Sequence, residues 1–183
     1  MKLSVLVLSI ILVVNIYAQN SMYDDFGFGG PEVKFSKIAG EKAILIGGKG
    51  GKILSKNFAI GGAGYGLTSS INKLEDSAIG EDVSMGYGGV VGTYFLQPTP
   101  KIFLSSSILV GGGVLSYEGE NDLDHDDDIF ILEPSVEIQY QAFDFMSFGI
   151  GAGYRYVTGV DLKGISDSDL SAATVHLTIL FGN

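Results

Sequence analysis

Beyond residue 30, apolar and small or polar side chains take turns with a period of two in about eight segments: 31–38, 42–54, 58–67, 83–95, 102–114, 130–141, 145–157 and 172–182. A period of two sends successive side chains to opposite faces of a β-strand. The faces are clearest late in the chain. In the sixth segment Glu133, Ser135, Glu137 and Gln139 share one face, and Leu132, Pro134, Val136, Ile138 and Tyr140 share the other. In the seventh, Ser147, Gly149, Gly151, Gly153 and Arg155 oppose Met146, Phe148, Ile150, Ala152, Tyr154 and Tyr156. In the eighth, Thr174, His176 and Thr178 oppose Ala173, Val175, Leu177, Ile179 and Phe181. No helical periodicity stands out beyond the first residues of the chain.

Which face points inward decides the class. A soluble barrel or sandwich turns its large apolar face inside. A membrane barrel turns it outward and fills its interior with small and polar residues. Here the second face carries Gly, Ser, Thr, Glu and Arg, which would make a poor solvent coat but suit a crowded lumen. Glycine, at 27 of 183 residues, is about twice its usual share of roughly 7%. Gly47 and Gly48, Gly50 and Gly51, Gly61 and Gly62, Gly88 and Gly89, and the run 111–113 all fall inside apolar segments. Glycine weakens a strand interior, so its repeated use predicts a tightly bent sheet with little room on one face. Most segments reach the roughly 9–11 residues that a tilted strand needs to cross a bilayer. Aromatic residues near segment ends (Tyr94, Phe95, Phe130, Tyr140, Phe143, Phe145, Tyr154, Tyr156 and Phe181) fit interfacial girdles.

The connections give an independent test. They run about three, six and three residues after segments two, four and six, and about fifteen, fifteen and fourteen after segments three, five and seven. Only the first, at 39–41, is short where the rotation would make it long. Short inner turns and longer external loops are the habit of outer-membrane barrels. The prediction is therefore an all-β protein: one eight-stranded antiparallel up-and-down transmembrane β-barrel over residues 31–183. Its long loops would lie outside and both termini in the periplasm.

Residues 1–18 complete this picture as an export signal. Lys2 precedes a largely apolar run of 14 residues, 3–16, too short for the roughly 20 residues of a membrane helix, and Tyr17 and Ala18 mark the expected cleavage point. Residues 19–30 read as a flexible N-terminal lead-in. The expected location is the outer membrane of a Gram-negative cell. Cysteine is absent, which an extensive hydrogen-bonded sheet tolerates in an exported protein. The net charge of −10 argues against nucleic acid as a partner.

The stretches FGFGGPEVKFSKIAGEKAILIGGKGG (26–51), GGAGYGL (61–67), MGYGG (85–89) and GAGYRYVTGV (151–160) resemble small outer-membrane β-barrel proteins of the Bacteroidetes group. Most of these have no assigned activity. The resemblance spans nearly the whole chain after the signal, and its glycine and aromatic motifs imply a barrel rather than a reaction.

Candidate chemistry is sparse. The segment 118–128, EGENDLDHDDD, holds seven acidic residues. Asp122, Asp124, Asp126, Asp128 and Glu133 fall on positions 1, 3, 5, 7 and 12 of a calcium loop, but Asp127 stands where the turn needs glycine and Pro134 discourages the following helix. The expectation is weak calcium attraction at Asp122, Asp124, Asp126 and Asp128, not a dedicated site, and no other cofactor. Glu133, Glu137 and Arg155 share the face predicted to be inward, on adjacent strands. Buried charges must be paired, so they are expected to form a lumen ion-pair network, with Lys34 and Lys49 as further candidates. His125 and His176 are the only histidines. His176 sits mid-strand between Thr174 and Thr178, which favours a hydrogen-bonding role, and no nucleophile motif accompanies either histidine. The segment 47–51 lacks the GK[ST] ending of a phosphate loop.

The sequence thus predicts a non-enzymatic outer-membrane barrel, a surface scaffold or interaction module with acidic external loops. It would be a monomer in contact with outer-membrane lipid and an unidentified extracellular partner. The alternatives are a narrow transport or permeation barrel and an exported soluble barrel that binds a lipophile.

Overall fold

The computed structural model describes residues 27–55, 57–68, 83–117, 125–160 and 166–182. They form eight strands: β1 (Gly27–Ile38), β2 (Glu41–Ser55), β3 (Phe58–Leu67), β4 (Val83–Thr99), β5 (Ile102–Tyr117), β6 (His125–Phe143), β7 (Met146–Thr158) and β8 (Ala172–Gly182). One helical turn, α1 (Asp167–Leu170), precedes β8. Each strand pairs antiparallel with its sequence neighbours, and β1 pairs with β8 to close the barrel. Closure removes the edges at which an open sheet would pair with another chain.

The meander divides the barrel into two ends. The start of β1, the end of β8 and the strand ends joined after β2, β4 and β6 share one end, called here the terminal end. The turn 39–40 and the strand ends joined by the long connections after β3, β5 and β7 share the other, the loop end. The turn at 39–40 takes positive φ at both of its residues, Ala39 (51°) and Gly40 (82°). That is the handedness a two-residue hairpin needs to match the strand twist.

The alternation sorts side chains as expected on β6, β7 and β8. Val136, Ile138, Ile150, Val175 and Leu177 are each about half exposed on the outer wall, whereas Glu133, Glu137, Arg155, Thr174, His176 and Thr178 are buried inside. Inward glycines let the wall curve this tightly. At the paired positions Gly51 and Gly61, a Cβ on either residue would lie within 2.8 Å of the other's Cα. Gly151 makes room for a side chain instead: a Cβ there would strike the His176 ring and the carbonyl of Val136. Gly151→Ala should therefore lower stability by about 1–3 kcal/mol through overpacking. Urea unfolding of the refolded barrel measures it, and a neutral result would mean that the lumen is looser than this geometry.

Three features depart from the sequence reading. Strand β1 starts at Gly27, so 27–30 belong to the sheet rather than to the lead-in, and β6 starts at His125 within the acidic stretch. Helix α1 was not legible, because four residues are too few to show a period. The lumen is also not filled with small and polar residues alone. Ile38, Leu45, Met85, Leu115, Ile131 and Leu170 are almost wholly buried and pack together at the loop end. Side chains that are crowded by the opposite wall can be apolar inside a narrow barrel, since there is no water there for polar groups to meet.

Candidate functional site

The charged belt lies across the middle of the lumen. Strand alternation aims Glu32 and Lys34 inward from β1, Lys49 from β2, Tyr65 from β3 and Tyr87 from β4. Glu133 and Glu137 point in from β6, Arg155 from β7, and Thr174, His176 and Thr178 from β8. The Lys49 ammonium bridges two carboxylates, 2.9 Å from Glu32 Oε2 and 2.8 Å from Glu137 Oε2. The Lys34 ammonium lies 2.9 Å from Glu133 Oε1 and 3.7 Å from Glu32 Oε1, and sits 3.5 Å above the centre of the Tyr65 ring.

Hydroxyl groups complete the shells of the carboxylates. Tyr65 donates to Glu32 Oε1 at 3.0 Å, Tyr87 to Glu133 Oε2 at 2.8 Å and Thr174 to Glu133 Oε1 at 3.2 Å. The Thr178 hydroxyl lies 2.7 Å from Glu137 Oε2 and 3.0 Å from Glu32 Oε2. It has one proton, so it serves one carboxylate at a time.

Arg155 is inward and fully buried but contacts no carboxylate among the described residues. Its Nε donates to the carbonyl of Leu170 at 3.0 Å and its Nη2 to that of Lys37 at 3.1 Å, while Nη1 has no hydrogen-bond partner among the described residues. Its guanidinium carbon lies 5.8 Å from the centre of the Tyr87 ring. Arg155 thus ties α1 and β1 together at the top of the belt and reaches Glu133 only through Tyr87. Glu32, Glu133 and Glu137 face Lys34, Lys49 and Arg155, so the formal charges in this low-dielectric space cancel. A buried charge without a counter-charge would cost several kcal/mol.

The sequence brought out Glu133, Glu137 and Arg155, with Lys34 and Lys49 as further candidates, and the structure places all five on the inner face. Glu32, Tyr65 and Tyr87 were missed. The spacing of Glu32 from Lys34, two residues on one strand, was the available signal. Of the proposed calcium ligands, Asp122 and Asp124 lie outside the described residues, as does the side chain of Asp126. Asp128 is exposed on β6, whereas Glu133, at the twelfth position, is inward and engaged by Lys34 and Tyr87.

The belt offers little room for a reaction. The cavity beside Glu32, Lys34, Lys49, Tyr65 and Glu133 measures about 20 Å³, space for roughly one water molecule. Glu32, Glu137 and His176 bring donor atoms within 4.8 Å of one another, as a metal site would. The Lys49 ammonium already bridges the two carboxylates of that group and supplies the positive charge. His176 Nε2 comes within 3.1 Å of Glu137 Oε2 without hydrogen-bond alignment. The side chain of His125 lies outside the described residues.

Helix α1 covers the loop end of the lumen. Leu170 is buried in the apolar cluster, and the Asp169 carbonyl accepts from Ala39 N–H at 2.8 Å. The Asp169 carboxylate accepts from the Ser166 hydroxyl at 2.6 Å and from the Ser166 backbone N–H at 2.8 Å. These bonds, the hydroxyl's first, hold the carboxyl below its ordinary range. A lowered value in the folded state stabilises α1 fully above the ordinary aspartate pKa of about 4, and that stability fades as the pH falls through the lowered value. Hydrogen exchange at the Ala39 amide should be constant from about pH 8 to 5, after correction for intrinsic rates, and lose protection only in stronger acid. Asp169→Asn should reduce protection at neutral pH.

The same barrel occurs in solved proteins. Neisserial surface protein A (NspA) superimposes with a TM-score of 0.62 at 10% identity, covering 86% of this chain and 96% of that one. The N-terminal β-barrel domain of Pseudomonas aeruginosa OprF gives 0.56 at 11% identity, covering 86% and 97%. Ail, the attachment invasion locus protein of Yersinia pestis, in complex with the heparin analogue sucrose octasulfate, gives 0.55 at 14% identity, covering 87% and 97%. At such identities the likeness establishes the fold: the chain is an eight-stranded closed antiparallel barrel of the kind seen in these proteins. No protein-family model and no curated protein matches the sequence, so the resemblance to Bacteroidetes barrels rests on its motifs alone.

Proposed function

We propose that the protein is an integral outer-membrane barrel, exported through residues 1–18, that acts without catalysis as a surface scaffold or interaction module. The observation that carries this reading is the inverted distribution of polarity. Large apolar residues such as Val136, Ile150 and Leu177 cover the outer wall, whereas three carboxylates, Lys34 and Arg155 are buried within and Lys49 is nearly so. An outer wall of this composition would be an aggregation liability in water and suits lipid, which weighs against the soluble alternative. A charge-balanced belt followed by an apolar plug weighs against the permeation alternative, since an ion would meet both in series. Recognition would then fall to the long connections at the loop end, because loops on rigid scaffolds carry it. Their acidic residues would attract divalent cations weakly and repel polyanions.

Membrane fractionation with heat-modifiable gel migration tests the location. Single-cysteine labelling of intact cells tests the orientation: Ser166→Cys should label and Asp144→Cys should not. Equal labelling at the two positions would overturn the assigned topology, and recovery in the soluble fraction would overturn the membrane reading.

A further inference from the structure

The terminal end of the lumen differs from both the belt and the plug. It opens as a blind cavity of about 530 Å³, within the range of small-molecule pockets. Gln139, which is buried beside the belt residue Glu137, forms part of its floor. Strand alternation turns Phe28, Ile53, Phe95, Phe103 and Leu180 into it, and Phe28 and Phe95 meet edge to face across the barrel with centroids 5.8 Å apart. Polarity should favour water at an open mouth, so a ring of apolar and aromatic side chains there is a surface without a partner.

The polar groups of the cavity share one bias. Gln139 directs its amide nitrogen to Glu137 Oε1 at 2.5 Å, Asn57 to the Phe95 carbonyl at 2.7 Å and Gln141 to the Asp144 carbonyl at 3.3 Å. Each of those partners only accepts, so each amide must present its NH₂ group to the protein. The amide oxygens are what remain for a guest. Asp144 is the one charged residue among the described residues lining the cavity, and it is anionic. Aromatic faces also attract cations. Acceptor oxygens, a carboxylate and three inward phenyl rings, with no cation among the described lining residues, define one ligand chemistry.

We infer that this vestibule binds a small amphipathic cation: an aromatic or aliphatic body seated among Phe28, Phe95 and Phe103, with a protonated amine directed to Asp144 and the amide oxygens. Neither the scaffold reading nor the orientation of the barrel is needed for this site.

Tryptamine is a suitable probe and indole-3-propionate its control, the same ring carrying the opposite charge. The chain has no tryptophan, so indole emission reports the probe alone. With the protein refolded into phosphatidylcholine vesicles, and protein-free vesicles as the blank, tryptamine should give a saturable blue shift with one molecule bound per barrel. Indole-3-propionate should bind at least tenfold more weakly. Asp144→Asn should weaken tryptamine at least threefold and leave the propionate unchanged. Phe103→Ala should weaken both, and heat-modifiable migration verifies that each variant is folded. Equal binding of the two probes, a tryptamine signal no greater than in protein-free vesicles, or folded Asp144→Asn and Phe103→Ala barrels that bind like the parent would overturn the assignment.

Discussion

Ile150→Arg is expected to block assembly of the barrel, or to lower its stability by about 2–4 kcal/mol where it still folds. Ile150 is 54% exposed on the outer wall, in register with Ile138 on β6 and Leu177 on β8, which are exposed to a similar degree. It sits near the middle of β7, so an arginine there would be held near the bilayer midplane, where the side chain reaches neither headgroups nor lumen. The matched control is Ser147→Arg. That residue is inward at the open terminal mouth, where a charge meets water, and the variant should assemble. Urea titration of the refolded proteins in lipid vesicles gives both numbers. If Ile150→Arg folds as stably as its parent, the outer wall does not face lipid, and the membrane reading of the whole molecule falls with it.

That wall was legible from sequence because β6, β7 and β8 alternate large apolar residues with polar ones, so that parity is visible residue by residue. Strands β2, β3 and β4 are different. Glycines stand on both faces there, as at Gly47 and Gly48 or Gly88 and Gly89. A face marked by hydrogen atoms carries no sign of inside or outside. Lys49 could be named but not placed with assurance, and Tyr65 and Tyr87 passed as ordinary aromatics. The plug failed for another reason. Leu45, Met85 and Ile131 are as apolar as the outward Ile46 or Leu132, and only three-dimensional closure assigns them to a dry interior. The bond from Arg155 to the Leu170 carbonyl depends on α1, whose single turn leaves no periodic trace. Composition predicts that charges inside must be matched, but not which hydroxyl or carbonyl completes each shell.

Lys49→Met tests the belt where it is most interdependent. The ammonium is the shared counter-charge of Glu32 and Glu137, at 2.9 and 2.8 Å, and its loss leaves one excess negative charge in a space nearly closed to water. Breaking a buried pair by removing one partner typically costs about 3–5 kcal/mol, because the remaining charge keeps its desolvation penalty. Lys49 is slightly exposed, so the lower part of that range is expected. Glu137→Gln should also destabilise, since it leaves the cations in excess and gives the amide a poor fit to Thr178 and Gln139. The double variant restores the balance of charge, and its loss should be smaller than the sum of the two single losses by more than about 1 kcal/mol. Strict additivity would show that the two groups titrate or rearrange independently, and that the belt is a set of separate hydrogen bonds. A Lys49→Met barrel as stable as the parent would show that water reaches both carboxylates, and a sealed lumen could then no longer be held against permeation.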